Sequence, residues 1–127
     1  METEKPTRRE DYRIEYILKK DSPLCRITKL NNIGINLAYH VKNISATGAK
    51  VLGNNFKEGS VEGIIYLHEA EVPFAGNAII MPHGNITKFN VHFLSKEYDK
   101  MRKAMDNELF YCKKNRILAK ENEKFIR

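Results

Sequence analysis

Cysteine is scarce in this chain, and none of its apolar runs approaches the roughly 18 residues that a membrane span requires. The two cysteines, Cys25 and Cys112, lie far apart and are too few for a disulfide framework, so a reducing compartment is the simpler expectation. Residues 1–10 carry charges and a proline but no apolar segment, which argues against a secretory signal there. These absences together predict a soluble protein located in the cytoplasm.

The common sequence signatures of catalysis are also missing. The chain has no G-x-S-x-G, P-loop or H-E-x-x-H motif, and Met101 and Met105 are interpreted as helix core. Its histidines show no metal-ligand spacing with one another or with the cysteines. We therefore predict that the protein is not an enzyme and has no catalytic residue, metal ligand or resident cofactor. The histidines are His40, His68, His83 and His92.

Positive charge is in excess: 22 lysines and arginines stand against 16 acidic residues, for a formal net charge of +6. Such an excess favours anionic partners, whether phosphates, nucleic acid or an acidic surface. The 127 residues fit one domain with a modest core, and 42% apolar content is ordinary for a globular chain. Residues 1–127 are therefore treated as a single domain.

Short apolar alternations separated by turn residues run through most of the chain, which is the pattern of half-buried strands. Asn31–Asn32 with Gly34, and the segment 82–85, supply turn signals. Six or so short strands with regular turns are typical of a sheet that closes on itself. The predicted fold is mainly β, a six-stranded antiparallel β-barrel. The strand segments are 12–18 and 25–30 (one strand interrupted by a turn at 21–23), 33–41, 49–52, 61–67, 72–81 and 86–94.

The periodicity changes near Ser95. Apolar residues then recur at three- and four-residue spacing as far as Leu109, which predicts an amphipathic C-terminal helix over 95–112 that packs on the barrel. Ser95 is able to cap its start. Residues 113–127 are rich in Lys, Glu and Asn, and we expect them either to extend this helix or to fray. Residues 1–11 alternate acid and base without an apolar partner and are expected to form a flexible N-terminal arm.

Three arginines lie where this arm meets the first strand. Arg9 and Arg13 are four residues apart, and Arg8 precedes the first of them. A guanidinium group presents a planar fork of donors that can hold a phosphate, pair with the O6 and N7 acceptors of guanine, or stack on a base. A solvated basic tail is the simpler interpretation, because R-x-x-x-R arises easily by chance in a chain with seven arginines.

A second polar motif, Asn43-Ile44-Ser45-Ala46-Thr47-Gly48, interrupts the apolar alternation between two strands. Asn43 and Ser45 are two apart, so both point to one side of an extended backbone. Gly48 has no Cβ, which lets the chain turn sharply and lets a ligand approach its backbone. The N-x-S-x-x-G pattern fixes three positions and is more specific than the arginine pair. It also fits a hairpin turn whose Asn and Ser side chains bond nearby backbone, and the two interpretations are compatible.

The order of these features resembles a PilZ domain, from about Thr7 to about Phe110. The matching features are Arg9-x-x-x-Arg13, a strand pair, Asn43-x-Ser45-x-x-Gly48, further barrel strands and a C-terminal helix. Members of that family share a six-stranded antiparallel barrel, and many bind the bacterial second messenger cyclic di-GMP. The family often has a glycine shortly before the aromatic of the last strand, where this chain departs by reading Asn90-Val91-His92-Phe93.

The resemblance implies a cyclic di-GMP receptor. In it, Arg9 and Arg13 contact phosphate and guanine, and Asn43, Ser45 and Gly48 meet the other side of the ligand. Arg8 either holds a second, stacked nucleotide or is a solvated neighbour. The N-terminal arm orders over the ligand and creates a surface that an unidentified downstream protein reads.

Two other functions stay open. A PilZ-like module can act in protein interaction without binding nucleotide, although the intact arginine and N-x-S-x-x-G positions argue against it. A small nucleic-acid-binding barrel fits the net charge, but the strands show no exposed aromatic series on which bases would stack. The expected partners are therefore cyclic di-GMP and a protein, with nucleic acid less favoured.

Overall fold

The computed structural model describes residues 12–53, 56–83, 86–117 and 119–121. Over these residues the chain forms strands and one long helix, and no helix there is long and apolar enough to cross a membrane. The strands are β1 (Arg13–Tyr16), β2 (Leu24–Leu30), β3 (Ile33–Ser45), β4 (Gly48–Leu52), β5 (Gly59–Leu67), β6 (Ala70–His83), β7 (Ile86–Phe93) and β8 (Ala119–Glu121), and the helix is α1 (Tyr98–Lys114).

Six of these strands close into the predicted antiparallel barrel. Their order around it is β2-β5-β6-β7-β4-β3, and β3 pairs with β2 to close the ring. Closure depends on the length of β3, 13 residues, because its first part pairs with β2 while its last part pairs with β4. A closed ring leaves no unpaired strand edge, which is the reason that small sheets adopt it.

Inward-pointing side chains of the barrel strands form the core. Ile27, Val41, Ile65 and Phe89 are all fully buried. Phe56, from the loop before β5, stacks on Phe89 with the ring centroids 4.1 Å apart. Burying a side chain of this kind contributes about 1.5–3 kcal/mol, so the packed interior gives the surface residues a rigid support.

The turn between β2 and β3 lies where its residues predicted it. Asn31 and Asn32 both have positive φ, 52° and 69°, as a type I′ hairpin turn requires. Asparagine tolerates this conformation better than most residues that carry a side chain. Gly34 lies beyond the turn, within β3.

The start of the helix differs from the prediction. Ser95 opens a 3-10 turn, Ser95–Glu97, and the cap position of α1 is Glu97, which makes no side-chain capping bond. The Glu97 carboxylate instead accepts the backbone N–H of Ala75 at 3.0 Å and pairs with Lys100 at 2.8 Å. The hydrogen bond from Lys100 holds the pKa of Glu97 below its ordinary value, against the opposing effect of burial. Glu97 therefore ties the helix start to β6.

The end of the helix also corrects the prediction. Within the segment 113–127 the structure describes residues 113–117 and 119–121, and the rest of that prediction lies outside the described residues. The helix ends at Lys114, and Arg116 takes a positive φ of 57°. The N–H of Ile117 then bonds the carbonyl of Cys112 at 3.0 Å, which is the Schellman arrangement that ends helices. Residues 119–121 form β8 and pair with β1 at Ile14–Tyr16, so they are strand rather than helix or frayed end.

Candidate functional site

A polar cleft of about 270 Å³ opens on the barrel surface where β1, β3, β4 and β7 meet. We call it the polar cleft. Four residues singled out in the sequence line it together: Arg13, Asn43, Ser45 and Gly48. Arg8 and Arg9 lie outside the described residues, as does the whole predicted arm 1–11. The structure thus brings Arg13, the second arginine of the R-x-x-x-R motif, to the N-x-S-x-x-G residues.

A β-bulge in β3 explains why Asn43 reaches this surface. The pairing of β3 with β4 passes from Val41↔Val51 directly to Asn43↔Lys50, so Lys42 is the extra residue. Val41 is buried, and without the bulge Asn43, two residues later, would follow it into the core. The extra residue shifts the alternation, and Asn43 lies half-buried in the cleft.

Ser45 shapes the turn at the end of β3. Its hydroxyl accepts the N–H of Thr47 at 3.2 Å, lies 3.1 Å from the Thr47 hydroxyl and donates to the carbonyl of Gly48 at 3.3 Å. The residue is only 8% exposed. These are the backbone bonds of the hairpin-turn interpretation, so the contribution of Ser45 to the cleft is first of all to fix its wall.

Gly48 is required for strand pairing rather than for a sharp turn. It is the first residue of β4 and does not have a positive φ, which corrects the expectation of a special turn conformation. A Cβ built on it would lie 2.5 Å from the carbonyl oxygen of Val91 on β7. Close approach of β4 and β7 is therefore possible because this position has no side chain.

Replacing Gly48 with alanine should destabilise the barrel. The added methyl group forces β4 and β7 apart, and such overpacking costs about 1–3 kcal/mol in the free energy of unfolding. Gly34→Ala is the matched control, because a Cβ there meets no atom within 4 Å and should leave stability equal or higher. Denaturant unfolding measures both variants, and equal midpoints would contradict the role assigned to Gly48.

Arg13 reaches the cleft from β1. Its Cα lies opposite Ser45 in the antiparallel pairing of β1 with β3, and its neighbours Tyr12 and Ile14 are buried. Alternation along β1 therefore turns Arg13 outward while the flanking side chains hold the strand in place. The half-buried position keeps the guanidinium group at the cleft rather than in open solvent.

Sequence reasoning missed further residues of the cleft, among them Lys50, Asn90 and His92. Lys50 follows Gly48 by two along β4 and was recoverable from strand alternation. Asn90 and His92 could not be assigned to the cleft from the sequence, because only the register of β4 with β7 places them opposite Lys50 and Gly48. Among the described residues that line the cleft, Arg13 and Lys50 are permanent cations and none is a carboxylate. The cleft is thus suited to a polyanionic ligand with hydrogen-bonding edges.

A second group of polar side chains lies on the buried side of β1. Glu108 of α1 accepts the Tyr16 hydroxyl at 2.5 Å and the backbone N–H of His68 at 3.0 Å, and its Oε2 lies 2.7 Å from Nδ1 of His68. The Sγ of Cys112 is 3.6 Å from the same oxygen. We call Tyr16, His68, Glu108 and Cys112 the Glu108 cluster. The sequence offered only the four-residue spacing of Glu108 and Cys112 as a signal for it.

Burial controls the ionisation of these groups. It raises the pKa of Tyr16 and, with the Glu108 carboxylate and Asp21 adding to it, raises the pKa of Cys112 to about 12. Burial alone raises the pKa of Cys25, in the barrel core, to about 12. Both thiols therefore stay protonated at neutral pH in the absence of a bound cation, which makes them poor nucleophiles.

Comparison of the chain with family models, with curated proteins and with solved structures gives no match. The polar cleft and the Glu108 cluster are therefore interpreted from their own geometry.

Proposed function

We propose that this protein is a receptor for cyclic di-GMP that passes the signal to a partner protein, as the PilZ resemblance implies. The observation that supports it best is that Arg13, from β1, lines the same cleft as Asn43, Ser45 and Gly48 of the β3–β4 hairpin, some 30 residues later in the chain. The sequence pattern alone does not require Arg13 to lie close to the N-x-S-x-x-G residues.

The chemistry of the cleft suits this ligand. Cyclic di-GMP carries two phosphate charges and two guanines, which need cations and hydrogen-bonding side chains close together. Arg13 offers a bidentate fork to a phosphate or to the guanine O6 and N7 atoms, and Lys50 adds a point charge. Asn43, opposite Lys50 across the strand pair, offers an amide to a base or a sugar.

Arg8 and Arg9 complete the site in this proposal. Arg9 contacts the ligand from the face opposite Asn43, and Arg8 takes a second, stacked nucleotide if one binds. The arm 1–11 orders over the ligand. The entropy cost of this ordering lowers the affinity, but the ordered arm and the ligand together form a new surface. The downstream protein reads that surface.

Strand β1 provides a route from the cleft to the helix. Arg13 faces the cleft, while the hydroxyl of Tyr12 donates to Asp106 at 2.6 Å and that of Tyr16 donates to Glu108. A ligand that pulls on Arg13 therefore acts on a strand whose other face is hydrogen-bonded to α1. The helix is the second surface on which a partner would detect the bound state.

Calorimetric titration of the purified chain tests the proposal. We expect cyclic di-GMP to bind with micromolar or tighter affinity, and GTP and a single-stranded DNA oligonucleotide not to bind in the same range. Raising the salt concentration should weaken binding only moderately, because few charges are neutralised.

The other outcomes select the other functions. Tight binding of DNA with a steep salt dependence would replace the proposal with a nucleic-acid-binding barrel. Failure of all three ligands to bind the folded chain would leave a protein-interaction module and overturn the receptor proposal.

A further inference from the structure

Three side chains with metal-binding atoms meet beneath the turn that joins β5 to β6. They are His68 of that turn and Glu108 and Cys112 of α1, and their ligand atoms all lie within 4.8 Å of one another. His68 and Glu108 are 40 residues apart in the chain, so it is the fold and not the local sequence that brings the donors together.

The local geometry holds the donors on one side of the helix. Glu108 and Cys112 are four residues apart, which places both on one face of α1. Nδ1 of His68 and Sγ of Cys112 approach the same oxygen, Oε2 of Glu108, at 2.7 and 3.6 Å. The other oxygen accepts the backbone N–H of His68, and this kind of supporting bond orients a carboxylate that binds metal.

The charge of the cluster also favours a divalent cation. The Glu108 side chain is 1% exposed, so its carboxylate lies in a low-dielectric setting where net charge is costly. A carboxylate, a thiolate and a neutral imidazole around one divalent cation sum to zero. Asp21 lies near enough to act electrostatically on Cys112, which adds negative potential.

We propose that His68, Glu108 and Cys112 bind a zinc ion that fastens α1 to the β5–β6 turn. A set of one nitrogen, one oxygen and one sulfur donor suits zinc, which accepts all three in tetrahedral geometry. The fourth position is filled by water, to which the His68 side chain, 21% exposed, leaves access. When zinc binds, Sγ of Cys112 moves closer to Oε2 of Glu108. Nδ1 of His68 moves further from that oxygen, so that both distances match the spacing of ligands around one metal ion.

The rival explanation is a hydrogen-bonded network that needs no metal. Tyr16 and His68 satisfy Glu108 on their own, and a thiol adds little to such a network because S–H is a weak donor. Cys112 is the residue for which the two explanations differ most. It is therefore the first position to change.

The test uses the full chain after removal of metal by a chelator. Zinc is titrated in competition with a chromophoric chelator, and cobalt is titrated separately. We expect one zinc per chain with micromolar or tighter affinity, a rise in the unfolding midpoint with zinc, and a cobalt spectrum with thiolate charge-transfer absorption and the intense visible bands of tetrahedral coordination.

Matched variants assign the ligands. Cys112→Ala and His68→Asn should weaken zinc binding by about 100-fold or more, since even supporting residues of metal sites typically cost 10–100-fold when lost. Cys25→Ala removes the other buried thiol, and His40→Asn removes another imidazole whose Nδ1 is hydrogen-bonded, to Ser22. Both controls should bind zinc as the parent does.

Three results would overturn the proposal. The first is a folded parent chain that binds no zinc. The second is a cobalt complex without thiolate absorption, a measurement that needs no variant and so does not depend on how the variants fold. The third is unchanged zinc affinity in folded Cys112→Ala, which would place the metal elsewhere.

Discussion

Arg13→Ala is expected to weaken the binding of cyclic di-GMP by about 10- to 100-fold. Hydrogen bonds to a charged group contribute about 1.5–3 kcal/mol, and about 1.4 kcal/mol corresponds to a factor of ten in affinity. Arg13 has the largest expected effect among the described residues because its guanidinium group brings both charge and geometry to the cleft. Isothermal titration of parent and variant under identical salt measures the change.

Two further variants separate the site from the overall charge. Arg26→Ala removes the same charge from β2, where the guanidinium carbon lies 5.5 Å from the centre of the Tyr66 ring, away from the cleft. Its effect should be small, because only the long-range field of the protein changes. Arg13→Lys keeps the charge and loses the planar fork, so its affinity should fall between those of the parent and Arg13→Ala.

The comparison among these variants decides whether the cleft is the site. If Arg13→Ala and Arg26→Ala lose affinity equally while both remain folded, binding follows net charge and the assignment of the cleft is wrong. If Arg13→Lys binds as tightly as the parent, the fork plays no part, and a simple phosphate contact is the better description.

The barrel was predictable because each strand carries its own signal. Residues such as Val41, Phe89 and Val91 alternate with polar neighbours, and every one of them is buried. Turn residues such as Asn31 and Asn32 then limit the lengths of the strands. Local pattern and overall fold agree over this part of the chain, so the sequence sufficed.

Elsewhere the deciding interactions join distant residues. β8 exists because β1, outside the closed ring, offers an edge to residues 119–121, and neither segment shows this in its own sequence. The bulge at Lys42 depends on the register of β3 against β4. Sequence alternation placed Asn43 and Ser45 on one side, and both line the cleft, but only the bulge turns that side from the core to the surface. The hydroxyl of Ser45 also bonds the backbone of the turn.

The prediction that no histidine is a metal ligand rests on spacing along the chain, and it stays a prediction. His68 has no metal-ligand spacing along the chain, but the fold brings it to Glu108 and Cys112. Spacing reveals a metal site only when its ligands are close in sequence, as Glu108 and Cys112 are on one face of α1. Here two of the three possible donors lie on a helix and the third lies on a hairpin turn, and only a structure reveals such an arrangement.

Glu108→Ala is expected to destabilise the metal-free protein by roughly 3 kcal/mol, or roughly 10 °C in the unfolding midpoint. The Glu108 carboxylate is the acceptor for the buried Tyr16 hydroxyl and for the part-buried backbone N–H of His68, and alanine leaves both donors without this acceptor. The same bonds join α1 to β1 and to the β5–β6 turn. Thermal and denaturant unfolding in the presence of a chelator, which excludes any contribution from metal, measure the loss.

Two comparisons show whether the loss comes from these bonds. Glu69→Ala removes an exposed carboxylate next to His68 and should change stability by less than about 0.5 kcal/mol. Tyr16→Phe removes one donor, and combining it with Glu108→Ala should cost less than the sum of the single changes, because the double variant leaves no tyrosine hydroxyl unsatisfied. Additive losses would mean that the Tyr16 bond to Glu108 contributes nothing. A loss in Glu108→Ala no larger than in Glu69→Ala would mean that the carboxylate does not hold the helix on the barrel.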